Sequence, residues 1–106
     1  RLLGKEEKVI FEGSESWDYS LISIVASLLV NKHQKPTFIF KKGNKESQGT
    51  VRMPKNTNAV SLMKQCQKLL LTYGGHPMAA GFRVKNENLA DFKKCLIKEY
   101  NANTTN

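Results

Sequence analysis

Acidic residues and histidines are scarce in this chain. Among 106 residues there are nine Asp and Glu against seventeen Lys and Arg, with two histidines, His33 and His76. The aspartates are Asp18 and Asp91. A two-metal phosphoesterase needs clustered carboxylates and histidines to hold its ions about 4 Å apart, and this chain cannot assemble such a cluster from its own residues. Nor does the pattern bring together a Ser-His-Asp or Cys-His arrangement. Acting alone, the chain is not expected to be an enzyme. The two cysteines, Cys66 and Cys95, have neither a CxxC partner nor a metal-ligand spacing. Both fall in helical patterns, so reduced thiols filling core positions in a cytoplasmic protein are expected. No apolar run approaches the roughly 20 residues that span a bilayer. The longest, residues 21–30, is broken by Ser23 and Ser27, and no membrane partner is expected.

What remains is a basic globular composition. A formal net charge of +8 biases so small a domain towards polyanions, nucleic acid being the commonest. A lysine-rich solvated surface is the plainer reading of the same number. The length suits one domain, expected over residues 1–100, with a polar, frayed tail over 101–106. The chain opens on Arg1 rather than Met, so a piece of a longer polypeptide is expected.

Residues 8–11 read as a short strand. Residues 19–30 are apolar almost all round, which predicts a buried helix entered near Ser16 or Asp18. Pro36 opens a compact strand over 37–40, where Phe38 and Phe40 are expected in the core. A charged turn around Gly43-Asn44 leads to an extended piece over 48–53. Asn56 or Asn58 can cap the next helix, in which Ala59, Leu62, Met63, Cys66, Leu69, Leu70 and Tyr73 form one apolar face. Gly74 and Gly75 end it, residues 80–84 return as a strand, and Asn86 or Asn88 caps a last helix carrying Leu89, Phe92, Leu96 and Tyr100. The order β-α-β-β-α-β-α predicts an α/β domain with a single mixed sheet and helices packed against it.

The most informative stretch is Gly74-Gly75-His76-Pro77-Met78-Ala79-Ala80-Gly81-Phe82. Adjacent glycines permit unusual backbone and leave amide N–H groups open to an anion. His76 can donate hydrogen bonds to an oxyanion, and Ala79, Ala80 and Gly81 permit close approach. On physics alone this could equally be a tight structural turn. The stretch resembles the GGH-x-x-AAG signature of the DHH-associated C-terminal domain of RecJ-type single-strand exonucleases and related phosphoesterases. Two further blocks are similar to that family. Trp17 to Leu28 resembles its W-x-x-G segment, with Ser20 and Ser23 where glycines are usual. Gln48-Gly49-Thr50-Val51-Arg52 resembles its G-S-x-R strand, with Thr50 for serine and Met53 where a second serine is common.

The resemblance implies a division of labour. An N-terminal Asp-His-His domain of the same parent chain would carry manganese or magnesium, and this domain, without a cofactor of its own, would grip single-stranded nucleic acid. It implies a phosphate-contacting set of Thr50, Arg52, Gly74, Gly75 and His76, with Ala79, Ala80 and Gly81 permitting approach. The guanidinium of Arg52 is a planar fork suited to phosphate. Relatives acting on short oligoribonucleotides, phosphoadenosine phosphates or cyclic dinucleotides supply a second expectation, a pocket in place of a groove. The RNA-contact and self-association domain of alanyl-tRNA synthetases supplies a third. Trp17 is expected as a lid on the core, His33 as a solvated turn residue, and the lysines at 41, 42, 45 and 55 as either a funnel for a strand or a solvated hairpin.

Overall fold

The computed structural model describes residues 8–104. Strands β1 (Ile10–Ser14), β2 (Thr37–Lys42), β3 (Glu46–Arg52), β4 (Leu70–His76) and β5 (Ala79–Lys85) form one sheet in the order β1-β2-β3-β5-β4. Helix α1 (Tyr19–His33) is the crossover between β1 and β2, which pair in parallel; all other pairings are antiparallel. Helices α2 (Ala59–Lys64) and α3 (Leu89–Thr104) complete the domain. The expected mixed sheet with packed helices is therefore present.

Alternation along the strands gives the sheet two different faces. One carries Phe11, Phe38, Phe40, Val51, Phe82 and Val84, packed against Met63, Phe92 and Leu96 of α2 and α3. Five phenylalanine rings interlock there, with centroids 5.0–6.4 Å apart. The other face carries Ile10 and Ile39 beneath Ile22 and Ala26 of α1, with Trp17 partly buried against them. Asp18 starts α1 by accepting from the Leu21 N–H at 3.2 Å, and Gln34 ends it in the left-handed region.

Several expectations need correction. First, α1 is not buried all round: Leu21, Ile24 and Leu28 line its outer side, Leu28 being 65% exposed. Among the described residues only one helix layer covers this face of the sheet, so an apolar outer stripe has nothing to pack on. The helix also runs on to His33, which is its exposed last residue instead of part of a turn.

Second, the helix read over 59–73 is much shorter. It stops at Lys64, and after a 3₁₀ turn (Gln67–Leu69) the chain becomes strand β4. Leu70 and Tyr73 still reach the phenylalanine core, but from a strand with a register shift between Leu70 and Thr72. Pairing with β5 along most of β4 overrides the helical spacing of the apolar residues.

Third, the cysteines are joined. Cys66, just after α2, is bonded to Cys95 of α3 across 29 residues, with α-carbons 6.0 Å apart. Each was placed on the inner side of a helical pattern, and the packing of α2 on α3 turns those sides towards one another within disulfide reach. At the C-terminal end, α3 continues through Thr104, so the first residues of the expected frayed tail are helical.

Candidate functional site

Helix α1 lies over β2 and β3 and leaves the β5–β4 half of its face open. The register places the predicted residues in rows that start on β3, at the border of the covered part, and run across that open half. Arg52 pairs with Ala79, which pairs with His76; Thr50 pairs with Gly81, which pairs with Gly74. A third row, Gln48, Arg83 and Thr72, extends the same face. With strands about 4.8 Å apart, the α-carbons of Arg52 and His76 are roughly 10 Å apart across one strand.

The tip that holds His76 is tied down by backbone hydrogen bonds. Pro77 and Met78 turn β4 into β5. The Ala59 N–H at the start of α2 donates to the Pro77 carbonyl at 2.7 Å, and the Met53 N–H donates to the Met78 carbonyl at 3.1 Å. Met53, next to Arg52, is itself buried in the core. The turn, the end of β3 and the start of α2 thus form one braced corner, with Arg52 and His76 on its open side.

The glycines divide into two kinds. Gly75 has φ +138°, and a Cβ there would sit 2.6 Å from Ala80 Cα. The fold requires glycine at that position. A Cβ on Gly74 would meet nothing within 4 Å, and one on Gly81 would meet only the Gly49 carbonyl at 3.4 Å. Neither of these has a left-handed backbone. Packing and conformation leave Gly74 and Gly81 unexplained, and the two are cross-strand neighbours that form a bare backbone shelf between Arg52 and His76 at one end and Arg83 at the other. Because β4 is an edge strand, half of its amides point away from β5.

Arg52 is held in place. Its Nη1 donates to Thr50 Oγ1 at 2.7 Å and to the Val51 carbonyl at 3.0 Å. The Thr50 hydroxyl in turn donates to the Ala80 carbonyl at 3.3 Å. Thr50 is only 7% exposed, so its hydroxyl orients the guanidinium more than it faces solvent. Ala80 lies in the phenylalanine core, and Gly75 also turns to that side. The structure therefore brings Thr50, Arg52, Gly74, His76, Ala79 and Gly81 onto one face and sets Gly75 and Ala80 behind it.

Sequence reasoning missed Gln48, Thr72 and Arg83. They line an open groove of about 290 Å³ together with Gly74 and Gly81. Counting in twos from Arg52 and Gly81 would have found Gln48 and Arg83, whereas Thr72 was hidden by the helical reading of β4. Ser20 donates to the Asp18 carboxylate at 2.7 Å at the start of α1. Of the lysines flanking the second block, Lys41 donates to the Glu15 carbonyl at 2.8 Å, while Lys42, Lys45 and Lys55 are exposed. Among the described residues no three His, Cys, Asp or Glu side chains group so as to hold a metal ion, and both cysteines are consumed by their bond. No helix among the described residues is long and apolar enough to cross a membrane.

A two-faced mixed sheet, with the Gly-Gly-His strand at its edge and a Gly-Thr-x-Arg strand one strand further in, defines the class. Residues 6–102 match the DHHA1 domain family, and the chain belongs to it. It is 28% identical over 95 residues to the single-stranded-DNA-specific exonuclease RecJ of Bacillus subtilis (strain 168), covering 88% of this chain. It spans only 12% of that relative's length. The crystal structure of Thermus thermophilus RecJ in complex with Mn²⁺ superposes with a TM-score of 0.82 and 30% identity, over 99% of this chain and 16% of that one. The C-Ala domain of Aquifex aeolicus alanyl-tRNA synthetase shares the fold, with a TM-score of 0.74 and 17% identity over 86% of this chain and 88% of that domain.

Proposed function

We propose that this domain grips single-stranded nucleic acid by its phosphates, while a separate Asp-His-His domain of a RecJ-like parent chain hydrolyses the phosphodiester with manganese or magnesium. One observation carries the reading. Gly74 and Gly81 lack side chains where the fold would accept them, on the face that holds Arg52 and His76. A backbone shelf kept bare beside two phosphate-type donors suits a ligand lying directly on the sheet.

The roles follow from the geometry. Arg52 offers its fork to a phosphate, and Thr50 orients that fork. His76 donates a hydrogen bond from the braced corner. Gly74, Gly81 and Ala79 permit close approach. Gly75 and Ala80 act from behind, by seating β4 against β5. The groove, at about 290 Å³, is at the small end for an enclosing ligand pocket, and Gln48, Thr72 and Gly74 along it are exposed. That favours an extended strand over one or two enclosed nucleotides, and the +8 charge points the same way.

Fluorescence anisotropy with a labelled single strand and its duplex, across a salt series, tests the proposal. Tighter binding to the single strand, weakening with salt and reduced in Arg52→Ala and His76→Ala, is expected. Equal affinity for both forms, unchanged in the variants, would reduce the positive charge to a nonspecific coat.

A further inference from the structure

We propose a second phosphate subsite at the far end of the glycine shelf, made by Arg83 with Gln48 and Thr72; the proposal rests on the phosphate-grip reading. These three residues form one cross-strand row and line the groove that also contains Gly74 and Gly81. The shelf is therefore continuous from the Arg52–His76 row to this one. Four residue steps along β3 separate Arg52 from Gln48, roughly 14 Å at about 3.4 Å per residue. One phosphate cannot touch both ends.

The chemistry at Arg83 already has an anion in it. Its Nη2 donates to Glu46 Oε2 at 2.7 Å, and the two side chains are 40% and 46% exposed. So exposed an ion pair contributes little and exchanges readily. The Glu46 carboxylate stands where a phosphate oxygen would sit, and a phosphodiester arriving along the shelf competes with it for the same fork. Gln48 supplies amide donors and Thr72 a hydroxyl beside it. A stacked strand advances about 3.4 Å along its axis per nucleotide, so roughly four nucleotides bridge the two ends at most, and fewer in a more extended strand. The ligand class is a single strand of several nucleotides, with mono- and dinucleotides confined to the Arg52 end.

Unlabelled oligothymidylates of two to eight nucleotides, competing against a labelled twelve-nucleotide strand, read the subsite directly. The wild-type affinity should climb as length passes about four. Arg83→Gln should leave the two-nucleotide ligand unchanged and weaken the eight-nucleotide ligand about tenfold, the size of a charge-assisted hydrogen bond. Glu46→Gln should act in the opposite direction and strengthen the eight-nucleotide ligand, whereas loss of a merely structural ion pair would move both variants the same way. Arg52→Ala should weaken every length. If Arg52→Ala weakens all lengths but Arg83→Gln weakens none, or weakens short and long ligands alike, the second subsite is overturned and the shelf reading stands. If Arg52→Ala changes nothing, the reading beneath it falls first.

Discussion

Alanine substitutions at three glycines separate what the fold needs from what a ligand needs. At Gly74 the new methyl enters open space, and at Gly81 it comes no closer than 3.4 Å to the Gly49 carbonyl. Neither position has a positive φ, so both substitutions should be neutral or stabilise by up to about 1 kcal/mol, by restricting the unfolded chain. At Gly75 the methyl would sit 2.6 Å from Ala80 Cα and 2.9 Å from the Ala79 carbonyl oxygen, on a backbone with φ +138°. Strain of that kind costs about 1–3 kcal/mol, which lowers Tm by roughly 5–20 °C in a domain of this size. Ligand affinity should follow the reverse order. The Gly74→Ala/Gly81→Ala double variant puts two methyls side by side on the shelf and lifts a phosphate away from the Arg52 fork. Losing one or two charge-assisted hydrogen bonds of about 1.5–3 kcal/mol each corresponds to a loss of tenfold or more. Thermal melts by circular dichroism and anisotropy with a labelled single strand measure the two quantities on the same preparations. A double variant that binds as tightly as the wild type, or one that unfolds early, would refute the claim that these glycines serve a ligand.

Three further predictions concern neighbouring features. Reducing the Cys66–Cys95 bond, or replacing both residues by serine, releases a crosslink spanning 29 residues, and the loop-entropy model puts the cost at about 3–4 kcal/mol; urea unfolding with and without reductant checks it. Thr50→Val removes the acceptor of Arg52 Nη1 and the donor to the Ala80 carbonyl. Single-strand affinity should fall about two- to tenfold by loss of ordinary hydrogen bonding, and Thr50→Ser should restore it. The Asp18 carboxyl is held below its ordinary value of 3.8 by the Ser20 hydroxyl and then by the Leu21 N–H. Its folded pKa being the lower one, its capping contribution is complete above pH of about 4 and is lost as pH falls through the folded value. Asp18→Asn keeps the cap and should remove that part of the acid dependence, as followed by helical ellipticity between pH 2 and 6.

Much of this arrangement is legible in the sequence, for reasons that particular residues make plain. Pro36 followed by alternating Phe38, Ile39 and Phe40 announces a buried strand, and Asp18 and Asn58 cap the helices they were expected to begin. Strand β4 was hidden because Leu62, Met63, Cys66, Leu69, Leu70 and Tyr73 satisfy a helical period, and only β5 selects the extended alternative. The same error hid the site's geometry. With Gly74 and Gly75 read as a helix-ending turn, nothing aligned Gly74 with Gly81 or His76 with Arg52. The disulfide was invisible for a related reason, since the proximity of Cys66 and Cys95 is made by helix packing and not by their spacing. Arg83 carried no local signal at all, and its place on the open face follows only from register.

In the proposed arrangement the ligand lies across β3, β5 and β4 on the face that α1 leaves partly open. Chemical-shift mapping of the ¹⁵N-labelled chain, titrated with an eight-nucleotide single strand, tests it most directly. The largest amide shifts are expected at Thr50, Arg52, Gly74, His76, Ala79 and Gly81, with the outer stripe of α1 and the exposed Lys94 and Lys98 of α3 unmoved. Shifts concentrated on Lys94 and Lys98, with the β3, β4 and β5 residues silent, would contradict it.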